Sequence, residues 1–405
     1  MRLVERLRRA VVPLVLLTLL PTAAAAAPRL PAAPSVTVSP SSGPVGSSTT
    51  VGGTGFAART SGTVSLGSAS VVVRTDAKGA FSAPVTVPSA ALGGVAVTAT
   101  VAGRTASTTF TVTVPSPGTP RLRFGVATPG GPTATGELDA VAGIAGEAPT
   151  VVLSFADFTR ELDVRGLEAV TARGAVPLVT WEPWVAGAGV QQPAYALDRI
   201  TAGDFDPYLR RWADGLRAFG RPVLLRFAHE MNGDWYPWAE GVNGNGPGDY
   251  VAAWHHVRGV VTSAGASNVS WVWSPNVPYT GSSPLTGLYP GAGAVDVVGL
   301  DGYNFGTSQS WSSWVRPDVL FGPGLAQLRQ LAPGVPVVIS ETASSELGGS
   351  KADWVRALFS YLAAQADVTA VVWFHFLKET DWRLDSSSAS AAAVREALLA
   401  RRTVA

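Results

Sequence analysis

Two glutamates occupy positions where an apolar run gives way to polar and aromatic residues. Glu230 lies in the segment His229–Trp238, which reads HEMNGDWYPW, and Glu341 lies between Ser340 and Thr342. Two carboxyl groups in one site can hydrolyse a glycosidic bond, because one protonates the leaving oxygen while the other stabilises or attacks the anomeric carbon. This chemistry requires a fold that brings two distant parts of the chain together.

Residues 121–402 alternate between β-type and helical patterns. Nearly continuous apolar runs are typical of parallel strands that are buried on both faces. The predicted strands are Leu122–Ala127, Thr150–Phe155, Val176–Trp181, Val223–His229, Val269–Trp273, Val295–Leu300, Pro336–Glu341 and Thr369–His375. Helical patterns follow most of them, for example Pro207–Phe219, Asp249–Ser263, Leu320–Leu331, Lys351–Gln365 and Ala389–Arg401.

This rhythm of strands and helices predicts an α/β fold, specifically a (β/α)8 TIM barrel. The main alternative is a doubly wound open sheet, but no G-x-G-x-x-G phosphate loop follows the first predicted strand. We expect Asp206 and Asp249 to be the N-caps of the helices that begin beside them. The connection over 277–294 is rich in glycine and proline, and it is expected to lack a full helix.

In a (β/α)8 barrel the catalytic groups gather at the carboxyl ends of the strands. The predicted strand ends carry carboxylates, amides and indoles, which suit a sugar site because rings stack on flat apolar faces and hydroxyls need fixed partners. With Glu230 after the fourth strand and Glu341 after the seventh, we expect their carboxyls to lie about 5–5.5 Å apart, the separation of retaining glycosidases. The charge of Glu341 is expected to raise the pKa of Glu230 and keep it protonated.

The segment His229–Trp238 resembles the acid/base signature of glycoside hydrolase family 26. The resemblance covers residues 121–402; it is strongest at 226–238 and weaker at 299–304 and 339–342. It implies a (β/α)8 barrel, retaining chemistry and catalytic glutamates after strands 4 and 7. Members of this family are mostly endo-β-1,4-mannanases, with some mixed-linkage glucanases and xylanases.

The resemblance also implies roles for individual residues. Glu230 matches the acid/base and Glu341 the nucleophile. His229 matches a histidine that contacts the sugar at the cleavage site. Tyr303 matches a strand-6 tyrosine that hydrogen-bonds the nucleophile, and Trp373 matches a strand-8 indole platform beneath the sugar.

Two further pairs of residues are candidate substrate-binding groups. Asn232 and Trp235 belong to the same signature, and the resemblance implies that they shape the cleavage subsite. Trp181 and Glu182 begin a WEPW segment at the end of the third predicted strand. This segment is not part of the mannanase pattern, so it leaves the substrate open. Glu182 is expected to bind a sugar hydroxyl or an internal partner.

Other polar and aromatic residues are given a default interpretation. Asp301 is expected to be a structural or subsite hydrogen-bonding group, and His375 either faces the rim or contacts the ligand. Indoles in helical patterns are expected in the core, whereas indoles in loops are harder to explain without a ligand. The first group is Trp212, Trp254 and Trp354, and the second is Trp235, Trp238, Trp311 and Trp314.

No metal or cofactor is expected. The chain has no cysteine, and Gly233, not histidine, stands four residues after His229, so the H-E-x-x-H zinc spacing is missing.

The N-terminal third has a different composition. Residues 1–27 combine a basic start, an apolar core over 10–20 and a run of alanines, which predicts a signal peptide; a short membrane anchor is the alternative. Residues 35–114 carry short β-prone segments separated by turns and resemble an Ig-like β-sandwich of the IPT/TIG type. All 13 Trp and all 8 Tyr lie beyond residue 120, so we expect a spacer or interaction domain rather than a carbohydrate-binding module. Residues 115–120 are predicted to be a Pro-rich linker.

These observations predict a secreted, monomeric, retaining endo-glycosidase that cleaves β-1,4-mannosidic bonds in mannan, glucomannan or galactomannan. A mixed-linkage β-1,3-1,4-glucan or a xylan is the alternative substrate. A non-catalytic polysaccharide-binding protein is the alternative class, and loss of either glutamate would have favoured it. The formal net charge of +1 and the lack of a basic stripe argue against a nucleic-acid partner. No stretch beyond the leader approaches 18 uncharged apolar residues, so no membrane span is expected.

Overall fold

The computed structural model describes residues 33–43, 47–88, 93–112 and 121–403. The predicted signal peptide over 1–27 and the predicted linker over 115–120 lie outside these residues. Within the described part, no helix is both long enough and apolar enough to cross a membrane.

The described residues before position 113 form an all-β region. Its strands are β1 (Ser35–Ser39), β2 (Ser42–Gly43), β3 (Ser48–Thr54), β4 (Ser61–Leu66), β5 (Ala69–Arg74), β6 (Phe81–Thr86), β7 (Gly93–Val101) and β8 (Arg104–Val112). Strands β1, β3 and β6 form one sheet, and β2, β8, β7, β4 and β5 form a second. Apolar side chains of both sheets share one core, in which Phe56, Phe81 and Phe110 are buried. This arrangement is consistent with the Ig-like prediction.

Strand β3 contains the pair Gly52-Gly53, and glycine inside a strand often marks a close approach of another group. The ring of Phe81 on the paired strand β6 explains the second glycine. A Cβ atom at Gly53 would lie 2.1 Å from that ring, so any larger residue would displace it from the core.

The second region, residues 121–403, is described without a gap. Its strands are β9 (Arg123–Ala127), β10 (Val151–Asp157), β11 (Val176–Glu182), β12 (Val223–Phe227), β13 (Val269–Trp273), β14 (Val297–Asn304), β15 (Val337–Ser344) and β16 (Val368–Phe374). Its helices are α1 (Thr135–Ala145), α2 (Val164–Ala172), α3 (Leu197–Thr201), α4 (Asp206–Phe219), α5 (Asp249–Ser263), α6 (Leu285–Leu288), α7 (Pro317–Leu331), α8 (Lys351–Ala363) and α9 (Ser388–Ala400).

The strands of this region close into a parallel barrel in chain order, and β16 pairs with β9. This closing pair confirms the predicted (β/α)8 barrel and excludes the doubly wound open sheet. The connection over 277–294 contains only the single-turn helix α6, as its glycine and proline content predicted.

Helix α4 illustrates how sequence spacing builds the outer layer. Tyr208, Leu209, Trp212 and Leu216 recur every three or four residues and are buried, so one face of the helix packs on the barrel. Burial of each such side chain stabilises the fold by about 1.5–3 kcal/mol. The helix ends at Gly220, whose φ of 68° suits a glycine.

Two helix starts differ from the prediction by one residue. Asp206 and Asp249 are the first helical residues and not the N-caps, which are Phe205 and Gly248. Instead of capping α5, the Asp249 carboxylate accepts a hydrogen bond of 2.7 Å from the backbone N–H of Gly246 in the preceding turn. Acidic residues in the first turn still interact favourably with the helix dipole.

Candidate active site

A cavity of about 1120 Å³ opens at the carboxyl ends of the barrel strands. Three glutamates line it: Glu182 at the end of β11, Glu230 after β12 and Glu341 within β15. Aromatic side chains form much of the remaining wall: Phe155, Trp184, Trp235, Tyr236, Tyr279, Tyr303, Phe305, Trp311, Phe374, Phe376 and Trp382. The barrel therefore brings together the carboxyl groups and ring faces that the sequence predicted at one rim.

Glu341 is held by hydrogen bonds to both carboxylate oxygens. Its Oε1 accepts from Nη2 of Arg226, and its Oε2 accepts from the hydroxyl of Tyr303 at 2.5 Å. The pKa of Tyr303 is raised well above its usual value, first by burial and then by the charge of Glu341, so the phenol keeps its proton and donates. The contact implied for Tyr303 by the family resemblance is present.

Arg226 is the charged centre beneath the cavity. It is fully buried, and its guanidinium bonds to Asp301 at 2.8 Å, to Glu341 and twice to the Thr180 hydroxyl. Asp301 also accepts a 3.1 Å hydrogen bond from Ser274. A buried charge must be paired, so this network explains why Asp301 has a structural role.

Glu230 is also buried and bonded through both oxygens. Its Oε1 accepts from Nδ2 of Asn276 at 2.9 Å, and its Oε2 accepts from Nε1 of Trp235 at 2.8 Å. Burial, and secondly the negative charge of Glu341, raise the pKa of Glu230 to about 7. The two N–H donors stabilise the ionised form and limit this rise. A carboxyl of this kind can release and recover a proton near neutral pH.

The backbone around Glu230 departs from regular strand geometry. Strand β12 ends at Phe227, two residues earlier than predicted, because Ala228 adopts a φ of 47°. Glu230 has a φ of 52°, and its N–H donates to the carbonyl of Ser274 at 2.7 Å. Residues other than glycine adopt this left-handed region at a cost of about 1–3 kcal/mol, and such strain concentrates at functional sites. The turn places Glu230 in the cavity wall, beside Asn276 and Trp235.

Glu182 is the third carboxyl in the cavity wall. Burial raises its pKa to about 7, and the charge of Glu341 contributes a smaller rise. The side chain lies beside the indole of Trp184, which also lines the cavity. Glu182 can therefore accept or donate a hydrogen bond to a bound molecule, depending on pH.

His229 lies behind the cavity wall. It is buried, its Nε2 lies 3.9 Å from Oε1 of Glu341, and Tyr236 packs on its ring at 4.8 Å. Its pKa is lowered well below the usual value, first by burial and then by the charge of Arg226, so the ring is neutral. It is not among the cavity-lining residues, and the implied sugar contact stays a prediction.

Asn232 is not among the cavity-lining residues, and its predicted part in shaping the cleavage subsite stays a prediction. Its amide instead exchanges two hydrogen bonds of 2.9 Å with the backbone N–H and C=O of Asn276. Asn276 in turn donates to Glu230. Asn232 is therefore a positioning residue that acts through Asn276. Trp235, from the same signature, lines the cavity, and its contact with substrate stays a prediction.

The predictions that Trp181 and Trp373 bind substrate are wrong. Both indoles are fully buried on the outer side of the barrel strands. Trp181 stacks on Trp212 of α4 at 4.5 Å, and Trp373 packs against Trp354 of α8 at 6.2 Å. Successive side chains along a strand point to opposite faces. Trp181 therefore points outward, and the next residue, Glu182, faces the cavity.

The structure also shows where the remaining tryptophans and His375 lie. Trp238 is buried and donates to the carbonyl of His229 at 2.7 Å, and Trp314 packs over Gly349. His375 accepts from the Leu384 N–H at 3.0 Å and is not part of the cavity wall. Trp311, in contrast, faces the cavity. Trp212, Trp254 and Trp354 are in the core, as predicted.

The sequence interpretation did not assign roles to Arg226, Asn276 or Trp382. Arg226 carried a signal, because it is a charge inside the apolar strand VLLRF. Asn276 belongs to the strand-end amides that the sequence indicated only as a group. Trp382 lies eight residues beyond β16 and reaches the cavity through a loop, which strand patterns do not reveal.

A closed (β/α)8 barrel whose aromatic-lined cavity holds a protonatable glutamate and an ion-paired glutamate has the architecture of a glycoside hydrolase. Residues 157–342 match the family described as Glycosyl hydrolase family 26. The barrel therefore contains a glycosyl hydrolase family 26 domain.

Two curated relatives are similar to parts of this chain. Endoglucanase H of Acetivibrio thermocellus is 39% identical over 236 residues, which cover 57% of this chain and 25% of that protein. Mannan endo-1,4-beta-mannosidase A and B of Caldalkalibacillus mannanilyticus is 39% identical over 110 residues, covering 24% of this chain and 21% of that protein. The matched regions thus span about a quarter or less of the length of these relatives.

Among solved structures, the catalytic domain of the endo-beta-1,4-mannanase of Bacillus sp. JAMB-750 has the same fold. It superposes with a TM-score of 0.54 at 17% sequence identity, covering 70% of this chain and 86% of that one.

Proposed function

We propose that this chain is a secreted, retaining endo-glycosidase that hydrolyses β-1,4-mannosidic bonds in mannan, glucomannan or galactomannan. The observation that carries the proposal is the different environment of two glutamates in one cavity. Glu230 has a pKa raised to about 7 by burial, whereas Glu341 is fixed by Arg226 and Tyr303. Two carboxyl groups with distinct roles are what glycoside hydrolysis with retention requires.

In the first step an oxygen of Glu341 attacks the anomeric carbon while Glu230 donates its proton to the glycosidic oxygen. The bond between that carbon and oxygen breaks, the shortened chain leaves as an alcohol, and a glycosyl ester forms on Glu341. Arg226 and Tyr303 hold the carboxylate so that its attacking oxygen is oriented before the sugar binds.

In the second step Glu230 acts as the base. Formation of the ester removes the negative charge of Glu341, which is one cause of the raised pKa of Glu230. The pKa of Glu230 is then expected to fall, so that its carboxylate accepts a proton from water. The water oxygen bonds to the anomeric carbon as the ester bond to Glu341 breaks, and the original configuration is restored.

A β-glucan is the second candidate substrate. The longer of the two relative matches is to a protein named endoglucanase, whereas the mannanase match covers a shorter segment. The WEPW segment around Glu182, which departs from the mannanase pattern, adds weight to this candidate because Glu182 lines the cavity. Mannose and glucose differ in the orientation of one hydroxyl, so a single hydrogen-bonding group can select between them.

Secretion is proposed on the N-terminal sequence pattern. Residues 1–27 have the basic start, apolar core and small-residue run of a signal peptide. Expression of the full chain with and without residues 1–27 in a bacterial host tests this. Export of the full chain alone, with N-terminal sequencing of the exported form, supports it, and retention of both forms in the cell contradicts it.

Hydrolysis is tested by incubating residues 28–405 with galactomannan, glucomannan, barley β-glucan and xylan, and by measuring the reducing ends released. The Glu341→Ala variant runs beside the wild type, with Leu399→Ala as a control on the exposed face of α9. Release from the mannans by the wild type and the control, but not by Glu341→Ala, supports the proposal. Release only from β-glucan supports the second candidate, and binding without release from any polymer supports a non-catalytic protein.

A further inference from the structure

The exposed aromatic side chains of the described residues are all in the cavity wall. They are Phe155, Trp235, Tyr279 and Trp311. Scattered exposed aliphatic residues are normal on a protein surface, but four exposed rings around one cavity indicate a ligand with flat apolar faces. Trp311 is the most exposed of them, at 71% of its surface.

Two of these rings lie on the side of the acid. Trp235 donates its indole N–H to Glu230, and Tyr279 stacks on Trp235 with ring centres 5.8 Å apart. Glu230 is the group proposed to protonate the leaving oxygen. Trp235 and Tyr279 therefore lie where the leaving part of a glycan chain would bind.

Trp311 lies on the side of the nucleophile. Its ring centre is 4.8 Å from that of Phe305, and Phe305 is 6.1 Å from Tyr303, which hydrogen-bonds Glu341. Phe305 also packs edge-on against Trp382 at 4.9 Å. The sugar that becomes bonded to Glu341 must lie over Tyr303 and Glu341. Trp311 is thus placed beyond that sugar, on the glycone side.

The loop that carries Trp311 is fixed by hydrogen bonds at both ends. The Ser312 hydroxyl donates to the carbonyl of Gly306 at 2.6 Å, and the Val315 N–H donates to Oδ1 of Asn304 at 3.1 Å. Gly306 has a φ of 56°, and a Cβ atom there would lie 1.8 Å from the Leu347 carbonyl oxygen. Glycine is therefore required at this turn. The loop holds the indole in place before any ligand arrives, which lowers the entropic cost of binding.

We infer that Trp311 is a stacking platform for a distal sugar ring on the glycone side of a neutral β-linked hexopyranose chain. The inference rests on the proposed function, because it uses the assigned roles of Glu230 and Glu341 to orient the chain. The cavity volume of about 1120 Å³ exceeds the range of about 300–1,000 Å³ typical of small-molecule sites, as a site for several rings must. Rings on both sides of the catalytic pair suit internal cleavage of a long chain.

The test compares the wild type with Trp311→Ala and Trp311→Phe on a ladder of manno- and β-gluco-oligosaccharides of increasing length. Trp311→Ala is expected to lower kcat/KM by at least about fivefold for long chains and to leave the shortest cleaved chain unaffected, since only long chains reach the platform. Trp311→Phe keeps an aromatic face and should retain most of the activity. Leu399→Ala, which removes an equally exposed side chain from α9, should change nothing.

The direction of binding has its own measurement. With oligosaccharides labelled at the reducing end, Trp311→Ala should move the main cleavage point toward the non-reducing end, because the platform no longer favours a long glycone part. An equal loss at every chain length, no loss at any length, or a shift toward the reducing end would overturn the inference.

Failure of the proposed function is distinguishable from failure of this inference. If the wild type cleaves no substrate, the proposed function fails, and Trp311 is then tested by electrophoresis in gels that contain the same polysaccharides. Retardation of Glu341→Ala that is lost in Glu341→Ala/Trp311→Ala supports a stacking platform. Equal mobility of the two variants overturns it.

Discussion

The hydroxyl of Tyr303 donates a hydrogen bond of 2.5 Å to Oε2 of Glu341, from the neighbouring strand of the barrel. Strands β14 and β15 are in parallel register across this contact, with Asp301 paired to Glu341 and Tyr303 paired to Ala343. The phenol and the carboxylate therefore meet because two buried strands fix them. Arg226, from β12, reaches the other carboxylate oxygen, so three strands together define the position of the proposed nucleophile.

Tyr303→Phe removes the hydroxyl while keeping the ring that packs against Phe305 and Trp382. A hydrogen bond to a charged group contributes about 1.5–3 kcal/mol, so kcat/KM is expected to fall by roughly 10- to 100-fold. Steady-state kinetics on the preferred polymer measure this, with Tyr279→Phe as the matched control in the same cavity. Unchanged kinetics in Tyr303→Phe would show that the contact does not orient the nucleophile.

Trp235→Phe is expected to change the pH dependence of the reaction. The acid must be protonated, so kcat/KM should fall as pH rises through the pKa of Glu230, at about 7 in the wild type. The indole N–H stabilises the ionised form, so its removal raises the pKa and shifts the basic limb to higher pH. The measurement is the profile of kcat/KM from about pH 5 to about pH 9, a range that extends about two pH units on either side of that pKa.

Trp311→Phe serves as the control for that profile, because Trp311 has no hydrogen bond with Glu230. Its basic limb should coincide with that of the wild type. If the limb of Trp235→Phe stays in place or moves to lower pH, the indole does not stabilise the Glu230 carboxylate.

Glu182→Gln is expected to make stability less dependent on pH. The pKa of Glu182 is raised from 4.5 to about 7 in the folded chain, so the folded state binds a proton that the unfolded state loses between these values. The contribution of Glu182 to the wild-type free energy of unfolding is fully present below pH 4.5 and is lost as pH rises through about 7. Glutamine has no proton to lose, so the variant should be more stable at alkaline pH, by up to about 3 kcal/mol.

Urea denaturation at about pH 5 and about pH 8 measures the effect on the free energy of unfolding, because most of the titration of Glu182 falls between these two pH values. Glu168→Gln, on the exposed face of α2, is the control and should leave stability unchanged at both pH values. A stability gain for Glu182→Gln that is equal at the two pH values would contradict the assigned titration.

Arg226→Met leaves Asp301 and Glu341 buried without their positive partner. Breaking a buried pair in this way is expected to reduce the free energy of unfolding by about 3–5 kcal/mol. The double variant Arg226→Met/Asp301→Asn removes one of the two stranded charges and should recover part of the loss. A double variant no more stable than the single one would mean that the cost comes from packing and not from charge.

The barrel was predictable from sequence because its strands are apolar on both faces and its helices are periodic. The glutamates were also predictable, since polar residues at the ends of such strands stand out. The sequence did not predict which side chains at a strand end point into the barrel and which point outward. Trp181 and Trp373 lie at the right strand ends but on the outer face, where Trp212 and Trp354 cover them.

The supporting groups of the site depend on contacts between distant strands. Asn276 and Glu230 are joined only because β12 and β13 are neighbours and Glu230 sits in a left-handed turn. Arg226 reaches Glu341 and Asp301 through the inside of the barrel. Neither relationship leaves a local pattern in the sequence, although a lone arginine inside an apolar strand signals a buried partner.

The central claim, hydrolysis with retention by Glu230 and Glu341, is tested most directly by the configuration of the first product. Proton NMR during early hydrolysis of a β-linked oligosaccharide distinguishes the newly formed anomer before it mutarotates. The account predicts that the β-anomer appears first and the α-anomer only later, and that Glu341→Ala forms neither. The α-anomer appearing first would mean direct attack by water and would contradict the role of Glu341 as nucleophile.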